Sequence, residues 1–342
     1  MLFPEINTIF AENFSKNMKI IGLGNALTDV LTKLENEKLL QRMSLPKGSM
    51  QLIDEDTLLV INKLLQDKET NFATGGSAAN TIKALANLGH PCGFIGKVGD
   101  DLYGRFFETT LKRLGVDTKL TACTEPSGVA ACFVTPDGER TFGTFLGAAS
   151  TLKAEELTSK LFKGYTYFYI EGYLVQDHEM ILKAIHLAKK GGLKIVLDLA
   201  SYNVVEADRA FFEELLNAHV DILLANEEEA KAFTGKAPEE ALGQLASLCE
   251  IAIIKVGKDG AYIQQNELVI HSKASPAQAM DSTGAGDYFA AGFLLGYAKG
   301  LPLQKCGDLG NYMGGEVIQE MGTTLSALKW EKIKKRVKEI SE

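Results

Sequence analysis

Short apolar runs, rich in β-branched residues, alternate with amphipathic stretches of helical period along most of the chain. The apolar runs cover residues 19–24, 165–170, 194–198, 221–225 and 251–256, and helical patterns such as 180–190 and 211–218 lie between them. Strands that alternate with helices of this length predict a mostly parallel sheet covered by helices on both faces. The pattern therefore indicates an α/β core.

Two segments, 30–53 and 116–146, depart from this rhythm because polar and apolar residues alternate there with no helical pattern between them. The first contains the turn signal Pro46-Lys47-Gly48-Ser49, and the second contains Pro136-Asp137-Gly138. Alternation around turn residues predicts antiparallel hairpins. We expect both insertions to form a small β-sheet lid on a single α/β domain, residues 18–342, that follows an N-terminal extension, residues 1–17.

The composition narrows the classes of partner. The chain has 342 residues, of which 46% are hydrophobic and 23% charged, and a formal net charge of −8. This charge and the lack of a block of consecutive Lys or Arg argue against nucleic acid or an anionic membrane, because both favour a basic surface. The five cysteines include no C-x-x-C pair, which favours neither a disulfide framework nor a zinc site. With no signal-peptide pattern and no run of about 18 apolar residues, we expect a cytoplasmic protein that acts on a small molecule.

The segment 281–287, DSTGAGD, precedes an apolar helical pattern over 288–295 and so marks the beginning of a helix. Its small residues Gly284, Ala285 and Gly286 expose backbone N–H groups, and the helix dipole adds positive character, so the site favours an anion. Asp287 places a carboxylate beside this anion hole, which suits general-base removal of a proton from an attacking hydroxyl. The alternative is that Asp287 only complements the helix dipole.

A second glycine cluster, Gly75-Gly76-Ser77-Ala78-Ala79-Asn80, precedes another helical pattern over 81–88. Paired glycines permit a positive φ and a close approach of the backbone to a ligand. Tight helix packing also selects glycine and alanine. The residues alone leave both interpretations open.

The segment after the first strand, Gly22-Leu23-Gly24-Asn25-Ala26-Leu27-Thr28-Asp29, differs from a dinucleotide-binding fingerprint. Leu27 stands where the third glycine would be and no long helix follows, so a dinucleotide oxidoreductase is disfavoured. Asn25 and Asp29 can instead hold ligand hydroxyls at the end of a strand, or they can cap a turn. No G-x-x-x-x-G-K-[ST] motif occurs, which excludes a Walker-type phosphate loop.

Two further sites are candidates for phosphate chemistry. Asn226 and Glu229, three residues apart, share a helix face on which they can hold hydrated Mg²⁺ between nucleotide phosphates. Acidic residues at a helix start often serve only the dipole. Arg140, beside the turn of the second lid segment, can reach a transferring phosphoryl group when a lid closes. Its alternative is a solvated hairpin side chain.

Taken in order, the motifs GNALTD, GGSAAN, GDDLYG, DGERTF, NEEEA and DSTGAGD resemble those of the ribokinase family, also called the phosphofructokinase-B or carbohydrate and purine kinase family. The resemblance extends from about residue 19 to about residue 328. It implies a Rossmann-like α/β domain with a β-sheet lid, and an enzyme that transfers the γ-phosphoryl group of ATP to a primary alcohol of a sugar or nucleoside. The opening GNALTD resembles adenosine kinases more than ribokinases, whereas the middle of the chain resembles general sugar kinases.

The resemblance also implies roles for matching residues. Asp287 would be the catalytic base, Gly284 to Gly286 the anion hole, and Arg140 a lid arginine. Asp29, Gly76 and Asn80 match positions that hold acceptor hydroxyls, and Asn25 and Gly75 adjoin them. The residues that match nucleotide or Mg²⁺ positions are Asn226, Glu229 (through water), Gly257, Gly260 and Asn311. Lys255 replaces a hydroxyl residue of the nucleotide loop.

This set suits phosphoryl transfer, which demands alignment and charge neutralisation more than covalent chemistry. Many relatives also bind K⁺ through the loop that holds Asp281 and Thr283, and many dimerise by pairing their lids, which covers exposed strand edges. Adenosine-like nucleosides and simple hexoses or pentoses both stay open as acceptors. A non-catalytic sugar or nucleoside sensor on the same fold is the alternative function.

Overall fold

The computed structural model describes residues 18–137 and 139–342. Its strands are β1 (Ile20–Leu23), β2 (Leu27–Lys33), β3 (Met50–Leu52), β4 (Thr70–Gly75), β5 (Cys92–Gly99), β6 (Asp117–Cys123), β7 (Gly128–Val134), β8 (Arg140–Phe145), β9 (Tyr167–Glu171), β10 (Lys194–Asp198), β11 (Ile222–Asn226), β12 (Ile251–Lys255), β13 (Ala261–Gln265) and β14 (Leu268–Ser272). Its helices are α1 (Lys38–Arg42), α2 (Glu55–Leu65), α3 (Ser77–Asn87), α4 (Leu102–Arg113), α5 (Ser159–Phe162), α6 (His178–Lys190), α7 (Tyr202–Ala207), α8 (Arg209–Ala218), α9 (Glu227–Thr234), α10 (Pro238–Ala246), α11 (Ala285–Ala298), α12 (Leu303–Val317) and α13 (Ala327–Ser341). The predicted extension, residues 1–17, lies outside the described residues.

The larger sheet has the order β14-β13-β12-β11-β10-β9-β1-β5-β6. The strands from β12 to β6 pair in parallel, and β13 and β14 add an antiparallel edge. Alternate residues of β11 enter two separate cores: Ile222 and Leu224 face one, and Leu223 and Ala225 face the other. Both faces of the sheet are therefore buried under helices, which is why its strands are continuous apolar runs. The predicted α/β fold is confirmed.

The smaller sheet has the order β3-β8-β7-β2-β4 and forms the lid. Its own small core includes Leu40 of α1, Ile61 of α2 and Phe133 of β7. The prediction of insertions without helices was wrong for the first segment, because α1 lies within 30–53 and α2 immediately follows it. Asp54 accepts a hydrogen bond from Thr57 N and so caps α2.

The predicted limits and pairing of the lid also need correction. The first insertion runs to β4, well beyond residue 53, and β6 belongs to the larger sheet, where it pairs in parallel with β5. An edge strand with one covered face alternates like a hairpin strand, which explains the error. Of the predicted antiparallel pairing, β7 with β8 is observed, but β2 with β7 and β3 with β8 are parallel. Gly138 of the predicted turn lies outside the described residues.

The carboxyl ends of β9 to β12, the beginnings of α3 and α11, and one face of the lid meet around one cavity. This is the place where open parallel sheets bind ligands. Within residues 18–137 and 139–342, no helix combines the length and the apolar character that are needed to span a bilayer.

Candidate active site

The cavity has a volume of about 650 Å³. Strand ends of the larger sheet contribute Glu171, Asp198 and Lys255, and the lid contributes a mainly apolar wall of Leu27, Met50, Leu52, Phe142 and Leu146. The size is in the range of small-molecule sites, which combine apolar walls with a few convergent polar groups.

Asp287 lies in the first turn of α11 and faces the cavity. Its Oδ1 accepts a hydrogen bond from Ser77 Oγ at 2.7 Å, and its Oδ2 accepts one from Asn80 Nδ2 at 3.0 Å. Burial raises the pKa of Asp287 to about 6, against the lowering effect of these two hydrogen bonds. A carboxylate with this pKa is ionised at neutral pH and close enough to pH 7 to accept a proton.

The N-cap of α11 is Gly284, with φ of 77°, and a Cβ there would lie 2.5 Å from Thr323 Cγ2. Only glycine fits this turn without strain. The Ala285 N–H already donates to Ser282 O at 3.2 Å, so of the predicted anion hole the N–H groups of Gly284 and Gly286 are the better candidates to bind an anion.

Lys255 adds a cation to this corner. Its Nζ would lie 3.2 Å from a Cβ on Gly286, and it forms an ion pair with Asp198 at 2.9 Å. Burial lowers the pKa of Lys255, but the charges of Asp198 and Glu229 outweigh it and raise the pKa above its ordinary value. The ammonium therefore stays charged where an anion would bind.

The other side of the cavity carries Asn25, Asp29 and Asn80. Asn25 N and Nδ2 both donate to Glu171 Oε1 at 2.8 Å. Gly75 ends β4 against the Asp29 carboxylate, and Gly76, with φ of 92°, has no room for a Cβ beside Asn25 O. Burial raises the pKa of Asp29 to about 6, although the charges of Lys83 and Arg140 lower it.

Asn226 and Glu229 form a reciprocal capping box at the beginning of α9. Glu229 Oε1 and Oε2 accept from Asn226 Nδ2 at 2.7 Å and from Asn226 N at 2.8 Å, and Asn226 Oδ1 accepts from Glu229 N at 2.8 Å. The pair is therefore brought together as predicted, but Asn226 is the cap and not a residue of the helix face. Burial raises the pKa of Glu229 to about 7, partly opposed by the charge of Lys255.

Arg140 and Asp281 form a buried ion pair that joins lid strand β8 to the loop before α11. Arg140 Nη1 lies 2.6 Å from Asp281 Oδ2, and only 11% of the Arg140 side chain is exposed. The solvated alternative for Arg140 is therefore wrong. Its Nε and Nη2 are buried with no partner in the described part of the chain.

The carboxylate of Asp281 is saturated. Its Oδ1 accepts from Thr283 N at 3.0 Å and Thr283 Oγ1 at 2.7 Å, and its Oδ2 accepts from Gly322 N at 2.7 Å besides the ion pair with Arg140. A carboxylate offers about four acceptor positions. The side chains of Asp281 and Thr283 therefore do not fit the K⁺ that the family resemblance implied, because a guanidinium and three donors already occupy them.

The remaining nucleotide candidates lie apart from one another. Gly257 lines the cavity, whereas Gly260 is packed against Ser272 O of the antiparallel edge. Asn311, on α12, is buried, and its Nδ2 donates to Ser272 O at 2.9 Å and Ser272 Oγ at 2.8 Å. In this arrangement the Asn311 amide ties α12 to β14.

The profile of the pfkB family carbohydrate kinases matches residues 48–330. The chain belongs to this family. An adenosine kinase from Schizophyllum commune is 27% identical over 345 aligned positions, which cover 92% of this chain and 98% of that protein. A probable sugar kinase from Rhizobium etli CFN 42 has a TM-score of 0.82 and 32% identity, covering 94% of this chain and 98% of its own. The adenosine kinase from Sinorhizobium meliloti also has a TM-score of 0.82, with 31% identity over 94% of this chain and 99% of its own.

This pfkB-family protein is accordingly an ATP-dependent kinase with an alcohol group as phosphoryl acceptor. The predicted membership of the ribokinase family, with adenosine-kinase-like character, is confirmed. The non-catalytic sensor has no support among these relatives.

Sequence reasoning missed several charged or hydrogen-bonding residues of the site. Glu171 and Asp198 are the last residues of β9 and β10, and Ser77 begins α3 inside the Gly75-to-Asn80 glycine cluster. The rule that ligands bind at the carboxyl ends of parallel strands was a sufficient signal for both carboxylates. Lys83 carried no such signal, because a lysine in a helical pattern is usually solvated.

Proposed function

We propose that this kinase phosphorylates the primary hydroxyl of a ribonucleoside, with Asp287 as general base. The observation that carries the acceptor class is the division of the cavity into two chemically different parts. Asp29, Asn80 and Asp287 offer acceptors and donors for ribose hydroxyls, and the apolar lid wall that starts at Leu27 offers a surface for a flat base. A simple pentose or hexose would leave that apolar wall exposed to water.

The lid residues Met50 and Leu52 support this choice. They line the cavity, yet 58% and 67% of their surface is exposed, so a ligand would remove apolar area from water there. Such burial contributes about 25 cal/mol per Å². A base has this area to offer, and a sugar ring covered with hydroxyl groups does not.

In the proposed reaction, Asp287 accepts the proton of the ribose hydroxyl while that oxygen forms its bond to the γ-phosphorus of ATP and the bond to the ADP oxygen breaks. The N–H groups of Gly284 and Gly286 and the ammonium of Lys255 neutralise the charge of the transferring group. Arg140, through Asp281 and Thr283, holds the loop that positions these N–H groups. The lid would exclude water as an acceptor.

Magnesium fits this site through water. No cluster of three or more His, Cys, Asp or Glu side chains in residues 18–137 and 139–342 forms a ready-made metal cage. The cavity is, however, lined by two carboxyl groups, Asp198 and Glu229, and by the single ammonium of Lys255, so negative groups outnumber positive ones there. Each Glu229 oxygen accepts one hydrogen bond from Asn226, which leaves a second acceptor position that a metal-bound water could use. When bound with ATP, Mg²⁺ would neutralise phosphate charge.

The test is ADP release with adenosine, inosine and guanosine against ribose, fructose and 2-keto-3-deoxygluconate. We expect the highest kcat/KM with a nucleoside. Leu52→Ser should raise the nucleoside KM about fivefold to tenfold, equivalent to about 1–1.4 kcal/mol of lost apolar contact, with ribose turnover unchanged. Leu59→Ser is the matched control, because Leu59 is also exposed but lies on α2, away from the cavity lining. A kcat/KM for ribose or fructose that equals or exceeds the nucleoside values would contradict the proposed acceptor.

A further inference from the structure

Lys83 is a buried lysine on α3 that no part of the proposed reaction uses; only 5% of its surface is exposed. Its Nζ donates to Thr74 O of lid strand β4 at 2.5 Å, and to Thr323 Oγ1 at 3.4 Å. Neither Lys83 nor Thr323 is among the residues that line the cavity. An ammonium is costly to bury unless other groups gain from its charge.

The hydrogen bonds of Thr323 give this contact a direction. An ammonium can only donate hydrogen bonds, so Thr323 Oγ1 accepts one from Lys83 and donates its own proton to another group. That proton goes to Asn80 Oδ1 at 3.0 Å. With its oxygen engaged there, Asn80 turns its Nδ2 towards Asp287 Oδ2 at 3.0 Å. Each donor in this series therefore points from the buried ammonium to the carboxylate.

The charge of the Lys83 ammonium favours ionisation of Asp287, because of the other charged groups around that carboxylate. The charged groups that act on Asp287, Lys83 or Asp29 from the elements packed around them are Arg140, Glu171, Asp198 and Lys255. Both cations among them are already paired: Arg140 with Asp281 at 2.6 Å, and Lys255 with Asp198 at 2.9 Å. Without Lys83, Asp287 would ionise near the Asp29 carboxyl while both of these cations are neutralised by other carboxylates, which disfavours its negative charge.

We propose that Lys83 and Thr323 are positioning residues for the general base: through the Asn80 amide they hold Asp287 as an oriented carboxylate. This inference rests on the proposed role of Asp287. Burial lowers the pKa of Lys83 to about 8, against the raising effect of Asp29 and Asp287, so the ammonium is charged over the range in which Asp287 titrates. Because Lys83 also binds Thr74 O, the same ammonium joins the lid to the base.

Thr323 offers a matched pair of variants. Thr323→Val keeps the shape of the side chain and removes the hydroxyl, whereas Thr323→Ser keeps the hydroxyl and removes the methyl group. We expect Thr323→Val to lower kcat at pH 7.5 about tenfold or more, because Asn80 loses the bond that fixes its amide. Thr323→Ser should stay within about threefold of the wild type by the same argument. Equal kcat values for the two variants would overturn the proposal.

Lys83→Met tests the charge. We expect the acidic limb of the kcat/KM profile to move up by about 0.5 pH unit or more, because a cation near a carboxylate lowers its pKa. Lys63→Met, at an exposed lysine on α2, is the control and should leave the limb in place. A limb that stays at the wild-type pH in Lys83→Met would also overturn the proposal. If Lys83→Met does not fold, as judged by circular dichroism, the Thr323 pair alone decides.

Failure of this inference differs from failure of the proposed function. If Asp287→Asn keeps the acidic limb or near-normal turnover, the base has been misassigned. If Asp287→Asn abolishes the limb but the Lys83 and Thr323 variants behave like their controls, Asp287 remains the base and only the role of the two buried residues is rejected.

Discussion

Asp287→Asn is the sharpest test of the proposed chemistry, because it changes the proton-accepting ability of one side chain with almost no change of shape. Ser77 can still donate to the oxygen of the substituted amide, whereas the new NH2 group faces Asn80 Nδ2, so that one hydrogen bond is lost. The ion pair of Lys255 with Asp198 is left intact. We therefore expect kcat to fall by about 10²-fold or more, while ATP still binds in calorimetry. Asp100→Asn, at a side chain that is 80% exposed, is the matched control and should leave kcat unchanged.

The pKa of about 6 gives the pH dependence. A general base acts only when ionised, so wild-type kcat/KM should rise with pH through about 6. One unit below that pKa about a tenth of the carboxylate is ionised, which predicts about tenfold lower activity at pH 5 than on the plateau. The Asp287→Asn profile should lack this limb.

The same shift predicts an opposite effect on stability. The folded-state pKa of Asp287 is raised from 3.8 to about 6, so the folded protein holds the proton more tightly and loses stability as pH rises from about 4 to about 6. Roughly two pKa units correspond to about 3 kcal/mol. Asp287→Asn removes the buried charge but also loses the hydrogen bond from Asn80, which contributes about 1 kcal/mol. The free energy of unfolding at pH 8 should therefore increase by up to about 2 kcal/mol, and the gain should shrink towards pH 4.

Urea unfolding at pH 8 and pH 4, together with discontinuous measurement of ADP, provides the assays. The reasoning is refuted if the variant turns over within tenfold of the wild type, or if it keeps an acidic limb near pH 6. A variant that is both inactive and destabilised at pH 8 would point to a structural role for Asp287 instead of a catalytic one.

Three further outcomes follow from the lid and the anion hole. Arg140→Ala should lower kcat about tenfold or more, because it removes a charge-assisted contact and leaves Asp281 without its counter-ion; an unchanged single-turnover rate would contradict this. Replacement of K⁺ by tetramethylammonium should change kcat less than about twofold, since hydrogen-bond donors already occupy the Asp281 oxygens. A strict K⁺ requirement would contradict this prediction and would show that the Asp281 carboxylate rearranges. The lid sheet has β3 and β4 as its edge strands, each paired on one side. Because pairing of lids would cover these edges, we expect light scattering to give a dimer; a monomer at all concentrations would remove that expectation.

The sequence predicted the local architecture well because local signals depend on neighbouring residues. The DSTGAGD segment does begin a helix at Ala285, and the helix predicted over 81–88 is present but starts earlier, at Ser77 within GGSAAN. Both predictions rest on glycine geometry and apolar periodicity. The strand 194–198 was predicted to the residue, because a strand buried on both faces is a continuous apolar run. The limits of the lid were not predicted, because an edge strand such as β6 has the same alternation as a hairpin strand.

Chemistry that depends on distant pairs came only from the tertiary structure. Lys83 and Thr323 are 240 residues apart in the chain, and Arg140 and Thr283 are 143 apart. Periodicity and turn residues carry information over a few positions, whereas such contacts are set by which strands adjoin and how helices pack on them. Local signals along the chain were therefore enough for the fold class, the kinase motifs and the position of the proposed base. Only the folded chain decided that Asp281 is neutralised by an arginine, that Asn226 and Glu229 satisfy each other, and that a buried lysine stands behind Asp287, because burial and charge are properties of the assembled site.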